Sequence, residues 1–437
     1  MANRIPQRPP VPTESTEAAV KYAWTVPGTN SPLSTSVRRV DGPLKTSGAA
    51  KYTYDILRPG MLYGRAVRSP HPHAKIVSID LSAAQRAPGV KAAVIWKDPG
   101  SEAMYHGDVV AAVAADTEER ALDAARLAEV RYEVLPHFSR EAKSMAADAT
   151  QVFASGNTRA GRLQEVGDLD VGFKNAAHVL EATYSTQVIT HVCLETHGAV
   201  CEWNGDNLTA WVSTQGVHAT RQQLARALMV PESNVRVICE YMGGGFGSKV
   251  AADAPVVLAA RLAKDAGVPV RMMLDRKEEH LDSGNRPSAF SKIRAGVSAD
   301  GQLTAFDGTT WGSGGAGQGA GFPLPYIYQF PNRRRSHTDV FINAGNQRPM
   351  RAPGHPQGCF ATEVLMDELA DLVKMDPLAF RLKNLPPQAS NAMWGEYYRI
   401  GAQRFGWDKR HPTGDTTPGP IKTGMGLSAN QWGGGGR

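Results

Sequence analysis

The chain is expected to fold as a mixed α/β (α+β) protein, on three observations. The first third alternates apolar strand-like runs with short helical ones, and a hairpin signal stands near residue 204. Two later strands each run into a polar or glycine-rich junction that opens a helix. At 437 residues the chain exceeds one small core, and roughly 100 to 200 residues per domain implies two or three domains.

Residues 1–36 are rich in Pro, Ser, Thr and Asn, with little apolar surface to offset ordering, so they read as an extended arm of the kind that wraps a partner subunit. Residues 37–138 form the first domain. GMLYGRAVRS and AKIVSID are strands, Ser82 caps a short helix stopped by Pro88-Gly89, and VKAAVIW is a third strand. HGDVVAAVAAD is a strand, Thr117-Glu118-Glu119 opens an Ala-rich helix to about Glu129, and VRYEVLP closes the domain as a strand.

A polar connector over 139–164 leads to a second domain, 165–415. There AVCEW and LTAWVST flank Asn204-Gly205, the strongest hairpin signal in the chain. The second strand ends at Thr214-Gln215-Gly216, after which Val217, Leu224 and Leu228 mark one helix face. Val235, Val237, Cys239 and Tyr241 alternate as a strand that enters MGGGFGSK, and Asp253 is placed to cap the next helix. Gln215 and the glycine loop therefore share one kind of junction, which adjacent elements bring to the same end of a sheet. Further on come strand VPVRMML, a Gly-rich loop from Gly312 to Gly321, helix TEVLMDELADLVK and a helix started by Asp376-Pro377.

Composition excludes some classes. Lys and Arg total 48 against 42 Asp and Glu, a net +6 with pI near 9.1, but the basic residues are scattered and only Arg333, Arg334 and Arg335 form a run. Nucleic-acid binding through that run is the weakest reading. Cys193, Cys201, Cys239 and Cys359 show neither CxxC spacing nor the density of a disulfide scaffold, which points to a reducing compartment. No window reaches the ~18 apolar residues of a membrane span, and the N-terminus has no apolar signal core.

Three motifs invite chemistry. Val250 after Lys249 rules out a Walker A loop, and Ser248 rules out GxGxxG begun at Gly243. Bare backbone at Gly243, Gly244, Gly245 and Gly247 still admits a planar anionic ligand beside Phe246; a tight turn with Phe246 in the core is the alternative. HVCLETHG sets His191, Cys193, Glu195 and His197 close together without an established ligand spacing, so buried hydrogen-bonded side chains are expected rather than a metal site. The pair His71 and His73 has no better support. In QRPMRAPGHPQG, prolines stiffen a loop around Arg351, which suits anion or carbonyl recognition or a plain surface turn.

Taken in order, STQGVHATR, MGGGFGSK and PMRAPGHPQG resemble the molybdenum-binding subunit of the xanthine oxidase and aldehyde oxidase family. The likeness extends through SPHPHAKIVSIDLSAA, APGVKAAV, VRYEVLP, LETHGAV, DPLAFRLKNL and GMGLSANQWGGGG. The resemblance implies a hammerhead-like domain over 37–138 and the first molybdopterin-binding domain over 165–415, with 416–437 opening a second. It implies a molybdenum hydroxylase that takes oxygen from water and oxidises aldehydes or uncharged aromatics. Its cofactor would be Mo-molybdopterin, in the cytosine dinucleotide form, with two-iron two-sulfur clusters and FAD on partner subunits.

By the same resemblance Gln215, Gly244, Gly245, Phe246, Gly247 and Arg351 bind the cofactor. Gln215 stands beside the metal without ligating it, and Phe246, Val250 and Arg351 line the substrate pocket. Val250 replaces the glutamate of purine-hydroxylating members, and Ala352 stands where carbon monoxide dehydrogenases carry a copper-binding cysteine. The family's second molybdopterin-binding domain, with its glutamate base, lies beyond this sequence. No catalytic residue is therefore assigned here, the isolated chain is expected to be inactive, and a complementary chain is expected to supply the rest. A truncated remnant or assembly component is the alternative. A cytoplasmic location is expected, with export alongside a partner as the variant.

Overall fold

The computed structural model describes residues 38–386, 389–412, 414 and 416–432. The arm expected over 1–36 lies outside them. Two compact units divide the chain, residues 1–50 and 51–437. Among the described residues of the first, regular structure is one short helix, Gly42–Thr46, with Pro43 in its opening turn, where a missing N–H costs nothing.

The second unit is built on a seven-stranded sheet. In spatial order its strands are Val235–Ile238, Asn207–Val212, Gly198–Asn204, Val270–Met273, Leu62–Arg68, Val109–Ala115 and Val90–Ile95. Strands from both expected domains thus share one sheet, joined where Leu62 runs parallel to Val270 and Tyr63 to Arg271. Val109–Ala115 is buried at every position, so it reads as continuously apolar, and its alanines allow close approach. Helix Ala254–Ala266 covers the sheet and buries Val256, Val257, Leu258 and Leu262 in the same core. Helix Glu118–Arg126 is capped by Thr117 Oγ, which accepts the Arg120 N–H, as its sequence predicts.

A second sheet, six-stranded, centres on Ala289–Val297, Leu303–Gly312 and Asn332–Val340, with His178–Thr186 at one edge. It packs on helix His355–Leu372 through Ile293, Phe306, Leu365 and Leu369. The expected connector supplies part of this sheet, since Thr158–Ala160 pairs with Asn332–Val340.

Several local expectations need correction. The hairpin pairs Asn204 with Asn207, so its turn is Gly205-Asp206, with Gly205 at φ 58°. Ser82 does not cap its helix; Asp80 Oδ1 instead accepts the Ser82 N–H at 2.8 Å. Asp253 precedes its helix without a side-chain cap, because its carboxylate pairs with Arg348 at 2.6 Å. The helix expected from Thr362 begins at His355, which makes His355–Gly358 its first turn and puts Pro356 where proline is tolerated. The arginine run is structural: Arg334 pairs with Asp307, Arg333 bonds the Phe330 carbonyl and Arg335 the Phe322 carbonyl. No helix among the described residues is long and apolar enough to cross a membrane.

Candidate cofactor site

Asn207–Val212 and Val235–Ile238 are parallel neighbours, so the segments that leave their C-terminal ends emerge side by side. The first delivers Gln215, the second Gly243–Gly247. Gln215 Oε1 accepts the Gly247 N–H at 2.7 Å and faces the Lys249 N–H at 3.4 Å. Both partners are donors, so the oxygen end of the amide is assigned and Nε2 is the free donor. Among the described residues no group bonds to Nε2, and Gln215 is exposed.

The glycines are required by close approach. A Cβ on Gly245 would lie 2.5 Å from Gln215 Oε1, and one on Gly247, at φ 112°, would lie 2.3 Å from the Pro349 carbonyl oxygen. The N–H groups of Gly243, Gly247, Ser248 and Lys249 all have protein partners. Those of Gly244, Gly245 and Phe246 have none among the described residues, although Gly245 is buried. Buried N–H groups are nearly always paired, so the one on buried Gly245 stands out, and with its two neighbours it gives a run of three donors, a cradle able to receive an anionic group.

Phe246 is 47 % exposed at φ 54°, which disposes of the reading that buries its ring in the core. A non-glycine residue held in the left-handed region is strained, and such strain clusters at functional sites. Val250, 41 % exposed, follows on the same loop. The Phe246 carbonyl accepts the Arg351 N–H at 2.7 Å, which ties the arginine loop to the glycine loop and leaves the Arg351 guanidinium exposed. Arg286, buried, braces that loop through the Arg351 carbonyl at 2.7 Å and the Ala352 carbonyl at 3.3 Å. No acidic side chain pairs with it among the described residues, and burial pushes its pKa down. The structure thus brings together six of the residues singled out from sequence, Gln215, Gly244, Gly245, Phe246, Gly247 and Arg351, and leaves Val250 exposed further along the same loop.

HVCLETHG is not a strand. It is an irregular segment with Val192 at φ 50°, and His191, Cys193, Glu195 and His197 are buried in it. His191 Nε2 bonds the Pro349 carbonyl at 2.8 Å, while Nδ1 is 3.4 Å from the Gly284 carbonyl. Burial pushes the imidazole pKa down, so the ring is neutral and its single N–H belongs on the shorter contact. His197 Nδ1 and its backbone N–H both meet Glu279 at about 3 Å. Sequence reasoning missed the support that Glu195, His191 and Arg286 give the two loops. The polar cluster in HVCLETHG was its only signal, and no spacing rule tells a brace from a ligand.

A doubly anchored glycine loop with unpartnered donors, fringed by an exposed aromatic and an exposed arginine, is suited in shape and charge to a planar anionic cofactor. Comparisons with known proteins give that cofactor a class. Residues 152–385 match the molybdopterin cofactor-binding domain, and residues 47–103 match the a/b hammerhead domain of aldehyde oxidase and xanthine dehydrogenase. The chain belongs to this molybdopterin-binding family.

Among curated relatives, it is 32 % identical over 416 residues to the aldehyde oxidoreductase molybdenum-binding subunit PaoC of Escherichia coli K12, covering 88 % of this chain and 55 % of the relative. It is 34 % identical over 373 residues to a probable xanthine dehydrogenase subunit of Bacillus subtilis 168, covering 79 % and 50 %. The chain therefore spans about half the length of these relatives. Against the nicotinate dehydrogenase large molybdopterin subunit of Eubacterium barkeri, 32 % identical over 375 residues, the match covers 79 % of this chain and 87 % of the relative. The fold also matches quinoline 2-oxidoreductase of Pseudomonas putida 86, with TM-score 0.77 at 24 % identity over 86 % of this chain and 54 % of that one.

Proposed function

We propose that the chain is the molybdopterin-binding part of a molybdenum hydroxylase that oxidises aldehydes or uncharged aromatics. One observation carries the reading: the unpaired N–H groups of Gly244, Gly245 and Phe246 lie on the loop whose Gly247 N–H locks Gln215 with its Nε2 donor free. The residues fit the group, because a free amide donor and unpartnered backbone N–H groups suit its anionic and oxo oxygens, and glycine at 245 and 247 is what lets Gln215 and the Pro349 segment hold the loop in place. Molybdopterin, when bound, supplies a two-electron redox centre and a Lewis acid. Gln215 Nε2 and the three backbone N–H groups would hold it, without any side chain of this set ligating the metal directly.

Phe246 would offer its exposed face to an aromatic or aldehydic substrate, and Arg351 a donor for a carbonyl oxygen. Val250 makes that wall apolar, which disfavours a polar purine edge because its donors and acceptors would go unpaired. The reading takes residues 37–138 as the hammerhead domain and 165–415 as the first cofactor domain. Residues 416–437 would begin the second. It also takes the cytosine dinucleotide form of the cofactor and partner subunits carrying two-iron two-sulfur clusters and FAD. Support comes from the four cysteines, which are too scattered for a cluster. The nicotinate dehydrogenase relative, matched over most of its length, carries the name of a molybdopterin subunit.

The test is metal and pterin analysis of the native assembly, purified through a tag on this chain. Stoichiometric molybdenum is expected; its absence overturns the reading. Val250→Glu then probes the substrate argument. Turnover of neutral aldehydes should fall at least tenfold, and unchanged selectivity would remove residue 250 from the pocket wall.

A further inference from the structure

Beneath the cradle lies a buried ionic knot that the proposed chemistry does not use. Lys249 is 1 % exposed, and its ammonium donates to the Glu195 carbonyl oxygen at 2.6 Å and to Ser213 Oγ at 2.7 Å. Ser213 donates its own hydroxyl proton to Glu195 Oε2 at 2.8 Å, so one hydroxyl links ammonium to carboxylate across a direct gap of 3.9 Å. The same Oε2 accepts the Gly243 N–H at 2.7 Å. Gly243 begins the cradle and Lys249 ends it, so one charge grips each end. Between them lie three glycines, Phe246 and buried Ser248, and the glycines have the largest backbone freedom to lose.

A core needs no ion pair at this place for stability. Desolvating two charges consumes most of what their attraction returns, and an apolar pair of similar volume often does as well. What an apolar pair cannot do is accept the Gly243 N–H while holding the Lys249 end in register. Without this acceptor the Gly243 N–H would join the free donors, and the row would no longer begin at Gly244.

We propose that Glu195 and Lys249, linked through Ser213, are positioning residues that fix which cradle N–H groups remain free for the cofactor. The inference rests on the molybdopterin reading above. It separates two properties that a purely structural pair would lose and regain together: chain stability and the seating of the bound group.

The experiment uses the native assembly purified through a tag on this chain, as wild type, Glu195→Leu, Lys249→Met and the double variant. Molybdenum per chain, visible circular dichroism of the bound cofactor and the thermal midpoint are measured on each. Both single variants should lower the midpoint and lose at least tenfold in molybdenum, because each leaves one buried charge alone. The double variant should regain most of the midpoint, with molybdenum still at least tenfold low or the dichroism shifted. Recovery of midpoint, metal and dichroism together would overturn the proposal, as would single variants that load and absorb like wild type. Should the double variant not accumulate, Ser213→Ala cuts the link and leaves both charges; wild-type loading and dichroism in it would refute the role, and a loss in either would support it. A wild-type assembly without molybdenum sinks the cofactor reading and this inference with it, whereas a loaded wild type with indifferent variants sinks only the inference.

Discussion

Replacing Gly245 with alanine would set a methyl carbon 2.5 Å from Gln215 Oε1 and 2.8 Å from both Cδ and Cγ. Ordinary contact lies near 3.5 Å, so the glutamine must retreat by about 1 Å or change rotamer. Retreat breaks the 2.7 Å bond to the Gly247 N–H. Losing that bond and leaving a half-buried N–H unmet costs about 1–2 kcal/mol. If Gln215 positions the cofactor as proposed, the functional cost is larger, because an outer-shell partner displaced by about 1 Å typically loses 10- to 100-fold in metal affinity or activity. In urea unfolding of the metal-free chain, Gly245→Ala should therefore lower stability by about 1–2 kcal/mol. Combining it with Gln215→Ala removes the obstruction, so the double variant should match Gln215→Ala alone, a coupling of about 1–2 kcal/mol, the whole cost of Gly245→Ala. Gly247→Ala is the contrast: its methyl meets a backbone carbonyl at 2.3 Å from a φ of 112°, and no side chain can yield. It should cost about 3 kcal/mol or more, with no relief from Gln215→Ala. Strict additivity of Gly245→Ala and Gln215→Ala would refute the packing on which the cradle rests.

Other outcomes follow from the same geometry. Phe246→Gly removes a half-exposed ring and relieves a left-handed φ, so stability should stay within about 1 kcal/mol of wild type while KM for aromatic aldehydes rises several-fold; a large loss of stability would show the ring is a core element. Arg381 is fully buried between Glu363 and Asp367, so Arg381→Met should cost about 3–5 kcal/mol in denaturant melts, partly restored by Glu363→Gln. Burial pushes the Glu279 carboxyl upward, but its hydrogen bonds and attraction to His197 prevail and hold its pKa below the ordinary value. A carboxylate with a depressed folded pKa adds stability above its unfolded pKa and loses it as pH falls through the folded one. Wild type should therefore exceed Glu279→Gln in urea midpoint near neutrality, and the gap should close below about pH 4; a gap that is constant with pH would deny the pair its charge.

What could be read from the sequence follows side-chain size. Val109–Ala115 and the hairpin strands announce themselves because their buried positions carry apolar bulk. The second sheet does not. Leu303–Gly312 buries Gly308, Thr310 and Gly312 along with Leu303 and Ala305, and a Cβ on Gly308 would lie 2.6 Å from the Phe306 ring, so glycine there is a packing choice that looks like a loop signal. Asn332–Val340 hides a strand behind three arginines whose stems and charges find partners only in the folded chain. The fringe of the site was visible because Gln215, the glycines and Arg351 form an ordered set along the chain. Its foundation was not, since the bond from Glu195 to Gly243 joins segments 48 residues apart.

The strand pairing at Leu62 and Val270 reaches beyond architecture. A cut in the 139–164 segment would separate neighbours inside one continuous hydrogen-bonded layer, and each fragment would present a raw edge in the middle of what had been a covered face. Such fragments would be sticky in isolation and complementary when mixed. The strands that deliver the cradle lie in the same layer and would feel the loss. Whatever evolutionary modules the chain contains, the strands that begin at Leu62 and the glycine loop must be made, and kept, as one piece.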